Sequence, residues 1–194
     1  MMKPIFHSLA KQHLLWKQKF DKGTEIVDIV SQLSSIQTLL ILMPEKLEDF
    51  GVALNKLQEL KKHFPKSKRY GVIRAHFASI VAPNFFEKLI VVSPQEISLF
   101  GIPRKQLLKT IMNTSYDLVI DFNQDFDMLA TYLCTKLDSK VRVCLAHPWR
   151  EPFYNLQIRT KKEDTLENKI NTMFKYLSTL ARTSPARGTT LIPA

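Results

Sequence analysis

The segment over residues 146–154, AHPWREPFY, is the most distinctive in the sequence for its possible chemistry. Arg150 could clamp a phosphate or a carboxylate, and the rings of Trp149 and Tyr154 could stack on sugars or bases. His147 stands in the same segment. The alternative is a rigid, proline-braced crossing whose aromatic rings pack on the edge of a sheet. We predict that His147, Trp149, Arg150 and Tyr154 bind a ligand, and the purely structural role of the segment stays open as the alternative.

A run of alternating polar residues comes earlier: Asp121, Asn123, Asp125 and Asp127 stand two positions apart. Carboxylate oxygens suit hard metal cations. The run lacks the glycine and the more distant glutamate of an EF-hand loop, and no CxxC pair or histidine cluster indicates a zinc site. Capping of a following helix by Asn123 or Asp125 is the simpler interpretation. We expect no metal and no cofactor, and we count Asp121 and Asn123 among the candidate ligand-binding residues.

The loop over residues 44–49, PEKLED, follows a continuous apolar run. It contains neither GxGxxG nor GxxxxGK(S/T), whose glycines let the backbone approach a phosphate closely. A dinucleotide or triphosphate cradle is therefore not supported here. Asp49 stands near the start of a predicted helix, where an acid stabilises the helix dipole. Asp49 could alternatively act as a general base, which would require a suitably poised pKa.

Apolar periodicity divides the chain into strands and helices. Residues 38–43 form an apolar run typical of a strand buried on both faces of a parallel sheet, and Pro44 ends it. The other predicted strands cover residues 70–75, 89–92, 117–122, 141–145 and 155–158. The predicted helices cover residues 5–20, 24–34, 46–63, a segment after 104, 125–137 and 163–181. We therefore predict the α/β class, with a three-layer, Rossmann-like, mostly parallel and doubly wound sheet of about six strands.

In doubly wound sheets, ligands bind outside the carboxyl ends of the strands, near the point where the strand order reverses. The predicted site therefore lies among the loops that leave these ends. These loops cover residues 44–49, 75–79, 93–103, 121–125 and 146–154.

The chain has 194 residues, of which 45% are hydrophobic, and this fits one domain with a substantial core. We predict a single domain over residues 1–182 and a disordered tail over residues 183–194, rich in Pro, Ser, Thr and Gly. No apolar run reaches the roughly 18 residues of a membrane span, and the first residues lack the pattern of a signal peptide. We therefore expect a cytoplasmic protein in which Cys134 and Cys144 are reduced and buried.

The formal net charge of +10 favours anionic partners such as nucleic acid, phosphorylated sugars or lipid headgroups. The basic run over residues 61–69, KKHFPKSKR, could bind an anion, or it could be a solvated turn that complements a helix dipole. We expect an anionic or sugar ligand or a protein partner, and nucleic acid is a less favoured alternative. The oligomeric state stays open, and the predicted N-terminal helix could pack on its own sheet or on that of a neighbour.

Three segments resemble family 9 glycosyltransferases, the heptosyltransferases of lipopolysaccharide synthesis. Residues 39–65, LLILMPEKLEDFGVALNKLQELKKHFP, are similar to the opening strand, loop and helix of that family. Residues 116–133, YDLVIDFNQDFDMLATYL, resemble a strand and helix further along. Residues 141–155, VRVCLAHPWREPFYN, resemble a later strand and a loop on the acceptor side of the cleft. The resemblance implies one half of a GT-B fold, and it places Asp49 where the family keeps its proposed catalytic base.

Residues 5–182 are also similar to a family of short bacterial proteins of unknown function, found mainly in Bacteroidetes. The basic N-terminal helix, the segment NTSYDLVIDF over residues 113–122 and the long C-terminal helix carry this similarity. Members of that family look like the N-terminal half of a family 9 enzyme standing alone.

Departures from the enzyme pattern decide the functional hypothesis. Glu48 replaces the glycine before the aspartate, and Met43 replaces a strand-end arginine. The second Rossmann-like half, which binds the nucleotide-sugar donor in the enzymes, is not in this sequence. We therefore expect a non-catalytic binding or interaction module derived from an acceptor-type domain. The alternatives are a glycosyltransferase subunit that needs a partner donor domain, with Asp49 as its base, and an RNA-associated basic protein that uses residues 61–69 and the N-terminal helix.

Overall fold

The computed structural model describes residues 27–183 together with Gln12 and Leu14. The rest of the predicted N-terminal helix and the predicted tail after residue 183 lie outside the described residues. The strands are β1 (Thr38–Leu42), β2 (Lys68–Arg74), β3 (Lys88–Val92), β4 (Leu118–Asp121), β5 (Val141–Leu145) and β6 (Leu156–Ile158). The α-helices in the described part are α1 (Ile29–Ser34), α2 (Leu47–His63), α3 (Lys105–Met112), α4 (Met128–Lys136) and α5 (Leu166–Arg182).

β1 is a central strand of a six-stranded, fully parallel sheet with the order β3-β2-β1-β4-β5-β6. Its side chains alternate between two cores, since Leu39 and Ile41 belong to one and Leu40 and Leu42 belong to the other. All four are at most 2% exposed because both faces of the sheet are covered. The predicted Rossmann-like, doubly wound α/β fold is confirmed.

Helices cover the two faces of this sheet. α2 and α5 pack against each other on the first core, to which they contribute Phe50, Leu57 and Phe174. α3 and α4 contribute Ile111 and Leu133 to the second core. α2 follows the predicted helix closely, because its apolar residues recur at helical spacing along one stripe.

The strand order reverses between β1 and β4. From β1 the chain moves outward through β2 to β3, and it then returns to place β4 on the other side of β1. The Asp117 carboxylate, just before β4, joins the starts of the two strands. Its Oδ2 accepts hydrogen bonds from the backbone N–H groups of Gln37 at 2.9 Å and Thr38 at 2.8 Å, and from the Thr38 hydroxyl at 2.9 Å.

Two connections between strands contain no α-helix, so the alternation of strands and helices is less regular than the sequence pattern indicates. β2 and β3 are joined by two 3-10 helices, Ala75–Ile80 and Pro83–Phe85. Gly71 of β2 lies under this connection, where an added Cβ would come within 2.6 Å of the Phe86 ring. β5 and β6 are joined by the loop over residues 146–155.

The two cysteines are free and buried, as predicted: Cys134 lies in α4 and Cys144 in β5. Burial raises the pKa of Cys134 to about 12, so its sulfur stays a neutral thiol. None of the helices in the described part of the chain is long and apolar enough to cross a membrane.

Candidate functional site

The loops predicted to hold the site all follow the carboxyl ends of parallel strands, and they therefore lie at one edge of the sheet, the carboxyl edge. Residues in and beside the loops that follow β1, β2, β3 and β4 line a groove of about 910 Å³, whereas no residue of the loop over residues 146–154 lines it. This volume suits a small organic ligand. The lining of this groove includes the apolar side chain of Leu99 and the polar or charged side chains of Glu45, Arg74, His76, Ser93 and Asp127.

Arg74, the last residue of β2, supplies a cation to the groove. Its guanidinium donates to Glu45 at 3.3 Å and to Asp127 at 3.1 Å. The Glu45 side chain is 61% exposed, whereas that of Asp127 is 16% exposed. Asp127 also caps α4 by accepting from the backbone N–H of Ala130 at 2.7 Å. Burial raises the pKa of Asp127 above its ordinary value, and the charge of Arg74 opposes this rise.

Asp49 lies in the first turn of α2, beside a smaller cavity of about 180 Å³ that meets the groove at Glu45 and Asp127. Its carboxylate accepts a hydrogen bond from the Gln124 side-chain amide at 2.9 Å. The oxygen of the same Gln124 amide, Oε1, accepts a hydrogen bond from Lys169 Nζ at 3.0 Å. Asp49 is thus fixed by a chain of contacts that runs from α2 to α5.

An exposed ion pair stands at the same cavity. Lys46 Nζ lies 2.6 Å from Asp125 Oδ2, and the two side chains are 70% and 68% exposed. The hydrogen bond from Lys46 lowers the pKa of Asp125, so this carboxyl stays ionised.

Asp121, the last residue of β4, is the centre of a buried polar cluster. Its Oδ2 accepts from the guanidinium of Arg150 and from the hydroxyl of Tyr154. Its Oδ1 accepts from the backbone N–H and the side-chain amide of Asn123, at 2.9 Å and 2.7 Å. Arg150 also donates to the backbone carbonyl of Asn123 at 2.6 Å and lies 4.8 Å from the centre of the Tyr154 ring. This cluster joins the β4–α4 loop to the loop over residues 146–154.

The cluster is closed to solvent. Arg150 and Asp121 are both 0% exposed, and Tyr154 is 5% exposed. Burial and the Asp121 carboxylate raise the pKa of Tyr154 well above its ordinary value, so its hydroxyl remains a hydrogen-bond donor.

The side chains predicted to bind a ligand therefore divide into two groups. His147 is half-buried and Trp149 is 50% exposed, so both reach the surface. Arg150, Tyr154, Asp121 and Asn123 are buried together behind them. In this arrangement a ligand could meet the first group directly, whereas the second group holds the loop in place. Ligand contact by these residues stays a prediction.

The described residues contain no group of three or more His, Cys, Asp or Glu side chains placed to hold a metal ion.

The sequence pattern of DUF6913, described as a family of unknown function, matches residues 11–180. The chain belongs to this family. The predicted similarity to a family of unknown function is confirmed. No curated protein matches the chain.

Solved structures of glycosyltransferases share the fold. The E. coli heptosyltransferase WaaC with ADP is similar over 79% of this chain and 50% of its own, with 20% identity and a TM-score of 0.56. A family 9 glycosyltransferase from Veillonella parvula is similar over 79% of this chain and 43% of its own, with 19% identity and a TM-score of 0.58. This chain thus spans about half the length of these neighbours, and the predicted resemblance to family 9 is confirmed at the level of fold.

Sequence reasoning missed Arg74 and Gln124 as site residues of this DUF6913 chain. The available signal for Arg74 was its place at the end of a predicted strand, directly before the loop over residues 75–79. Gln124 stands within the loop over residues 121–125 that was predicted to hold the site, but its contacts left no signal, because its partners Asp49 and Lys169 are 75 and 45 residues away.

Proposed function

We propose that the chain is a non-catalytic binding domain that holds an anionic sugar, such as a sugar phosphate, in the groove at the carboxyl edge. The observation that carries this proposal is that Arg74 places a cation in a ligand-sized groove at the carboxyl ends of the strands. Ligands of doubly wound sheets bind at this edge. We place this binding in the cytoplasm.

The two partners of Arg74 explain how an anion would enter. Glu45 is the more exposed partner, at the longer distance of 3.3 Å, so an incoming phosphate replaces it. Asp127 is less exposed and also caps α4, so it stays and keeps the guanidinium in place. Guanidinium groups bind phosphate in a forked geometry, which favours this exchange.

The remaining groove residues suit a sugar. His76 and Ser93 offer polar groups to hydroxyls, and Leu99 adds an exposed apolar surface for the carbon–hydrogen face of a ring. Asp49 lines the neighbouring cavity and not the groove itself, so a ligand small enough to stay within the groove beside Arg74 would not meet the carboxylate that the enzyme resemblance implies as a base. This separation favours binding without transfer.

The loop over residues 146–154 would supply a second contact to a larger ligand or to a protein partner. The half-exposed ring of Trp149 offers a stacking surface, and His147 lies close enough to Asp125 for its charge to act on that carboxyl. In this proposal the buried Arg150 and Tyr154 position the loop.

The test is calorimetry and thermal shift against sugar phosphates and nucleotide sugars. We expect at least one sugar phosphate to bind, and Arg74→Gln to weaken it about tenfold or more, because charged hydrogen bonds contribute roughly 1.5–3 kcal/mol. Arg104→Gln is the matched control, since Arg104 is exposed at the start of α3 and does not line the groove. Equal affinity of the Arg74→Gln and Arg104→Gln variants for the sugar phosphate would contradict binding in the groove. Leu99→Glu, which adds a negative charge to the wall, should also weaken binding without touching Asp127.

A second candidate function is glycosyl transfer with Asp49 as base, and one observation favours it. Asp49 is held at a cavity of about 180 Å³ by Gln124, as a positioned base would be. The neighbour WaaC was solved with ADP-2-deoxy-2-fluoro heptose as well as with ADP, so nucleotide sugars are the donors to test. The test is transfer of the sugar to an added acceptor, with release of the nucleotide, when a partner chain supplies the donor domain. Transfer that Asp49→Asn abolishes, with binding retained, would replace the binding proposal by this one.

A further inference from the structure

The amino edge of the sheet, opposite the groove, is strongly basic. Strands begin and helices end at this edge, because the sheet is parallel and the helices return against the strands. Six of the cationic side chains at this edge are called here the amino-edge basic surface: Lys61, Lys62, Lys66, Lys68, Lys88 and Arg182.

Tertiary contacts place several of these cations. The charges of Lys62 and Arg182 both act on His63, and Ser178 of α5 contacts the His63 ring at 2.5 Å. The ends of α2 and α5 therefore lie side by side. Lys68 pairs with Thr38 in the sheet, which places it beside the start of β1.

A cavity of about 460 Å³ opens within this surface. It is lined by Ser34, Ser35, Ile36, Gln37, Thr38, Lys66 and Lys68. Both lysines are exposed, and the other lining groups are mostly polar. The volume is large enough for one nucleotide.

None of the six cations makes an ion pair with any described residue, unlike Lys46, Lys56, Arg74 and Arg150. Two nearby acids are engaged elsewhere: Glu59 is bound to Lys56, and the Asp117 carboxylate accepts hydrogen bonds from Gln37 and Thr38. Cations in the last turn of a helix stabilise the helix dipole, which accounts for Lys61, Lys62 and Arg182. Lys66, Lys68 and Lys88 lie in a turn or at strand starts, where the dipole gives no such reason.

We propose that the amino-edge basic surface binds the phosphate backbone of single-stranded nucleic acid, with one nucleotide in the cavity between Lys66 and Lys68. Unpaired lysines neutralise backbone phosphates and release counterions. A lipid bilayer is the less suitable anion, because membrane-surface proteins insert large apolar side chains beside their cations. The residues that line this cavity include no large exposed apolar side chain.

The test is fluorescence anisotropy of the full chain with a labelled oligouridylate over a range of salt concentrations. Lys66→Gln/Lys68→Gln should weaken binding about tenfold at roughly 0.1 M salt and lower the slope of log K against log salt by about two. The matched control is Lys161→Gln/Lys162→Gln, which removes the same charge from two exposed lysines before α5. It should change affinity less than about threefold. Lys88→Gln alone should lower the slope by about one.

Three results would overturn the proposal. The first is that the unchanged protein does not bind oligouridylate. The second is that both double variants weaken binding equally, since the attraction would then come from net charge alone. The third is that the Lys66/Lys68 variant loses binding to vesicles of phosphatidylcholine and phosphatidylglycerol while its affinity for oligouridylate is unchanged, which would assign the surface to membranes.

Discussion

Two ion pairs at the carboxyl edge of the sheet join similar groups in opposite surroundings. Arg150 and Asp121 are both 0% exposed, whereas Lys46 and Asp125 are 70% and 68% exposed. Water screens the exposed pair and hydrates either partner alone, so its net contribution to stability is small. Removal of one partner from the buried pair leaves a charge without water or counterion. The comparison teaches that burial, more than the presence of an ion pair, decides what each pair does.

The largest expected effect comes from Arg150→Met. This change leaves the Asp121 carboxylate buried without its cation, and we expect the free energy of unfolding to fall by about 3–5 kcal/mol. Urea denaturation followed by circular dichroism measures it. Arg159→Met, at an exposed arginine after β6, is the control and should change stability by less than about 0.5 kcal/mol. A similar small loss for Arg150→Met would show that water reaches Asp121.

Tyr154→Phe tests the second donor to the same carboxylate. It removes one hydrogen bond to a charged acceptor and leaves the ring packing unchanged, so we expect a loss of about 2 kcal/mol. The same denaturation measurement applies. Tyr176→Phe, at a tyrosine that is 53% exposed, should have almost no effect. If the two variants are equally stable, the hydroxyl of Tyr154 contributes nothing to the cluster.

His63 offers an intermediate case, because it is half-buried between α2 and α5. Burial lowers the pKa of His63, the Glu59 carboxylate opposes this, and the charges of Arg182 and Lys62 lower the pKa further. The unfolded chain therefore binds a proton at this site more readily than the folded protein. The stability contributed by neutral His63 is present above the unfolded pKa, about 6.5, and is lost as the pH falls through the folded value.

We expect the free energy of unfolding to decrease between about pH 7 and pH 5, with a smaller decrease in His63→Gln. Denaturation at several pH values measures the slope. His76→Gln changes an exposed histidine and is the control. The same slope in wild type and His63→Gln would assign the pH dependence to other groups.

The smallest expected effect belongs to Lys46→Gln. It removes the exposed partner of Asp125, and we expect a loss of less than about 1 kcal/mol that shrinks further at high salt. Denaturation at low and high salt measures it, with Lys105→Gln at another exposed lysine as the control. A loss of stability as large as that of Arg150→Met would show that the exposed Lys46–Asp125 pair stabilises the fold as much as the buried Arg150–Asp121 pair.

The fold could be predicted because its signals are local. The apolar run at β1 and the helical stripe of α2 each show their structure within a few residues. The connection from β2 to β3 was harder, because its two 3-10 helices lack a helical repeat long enough to recognise.

The candidate site was predictable only in its location. The loop over residues 146–154 leaves β5 at the carboxyl edge, as expected, but its proline-rich sequence is typical of a surface crossing. Whether Arg150 faces solvent or the interior depends on Asp121, 29 residues earlier in the chain. Such pairing between distant residues leaves no periodic pattern in a single sequence. The same holds for the contact between Asp49 and Gln124.

The place of β1 beside both β2 and β4 has a consequence for the order of folding. β2 follows β1 by about one helix, but residues 118–121 come some eighty positions after the start of β1. During synthesis, β1 can pair with β2 on one side only. The other edge of this apolar strand stays unpaired until β4 has left the ribosome. An open apolar strand edge invites wrong pairing with other chains. The growing polypeptide therefore passes through a stage in which this edge is unprotected, and that stage ends when β4 pairs with β1 and Asp117 binds Thr38.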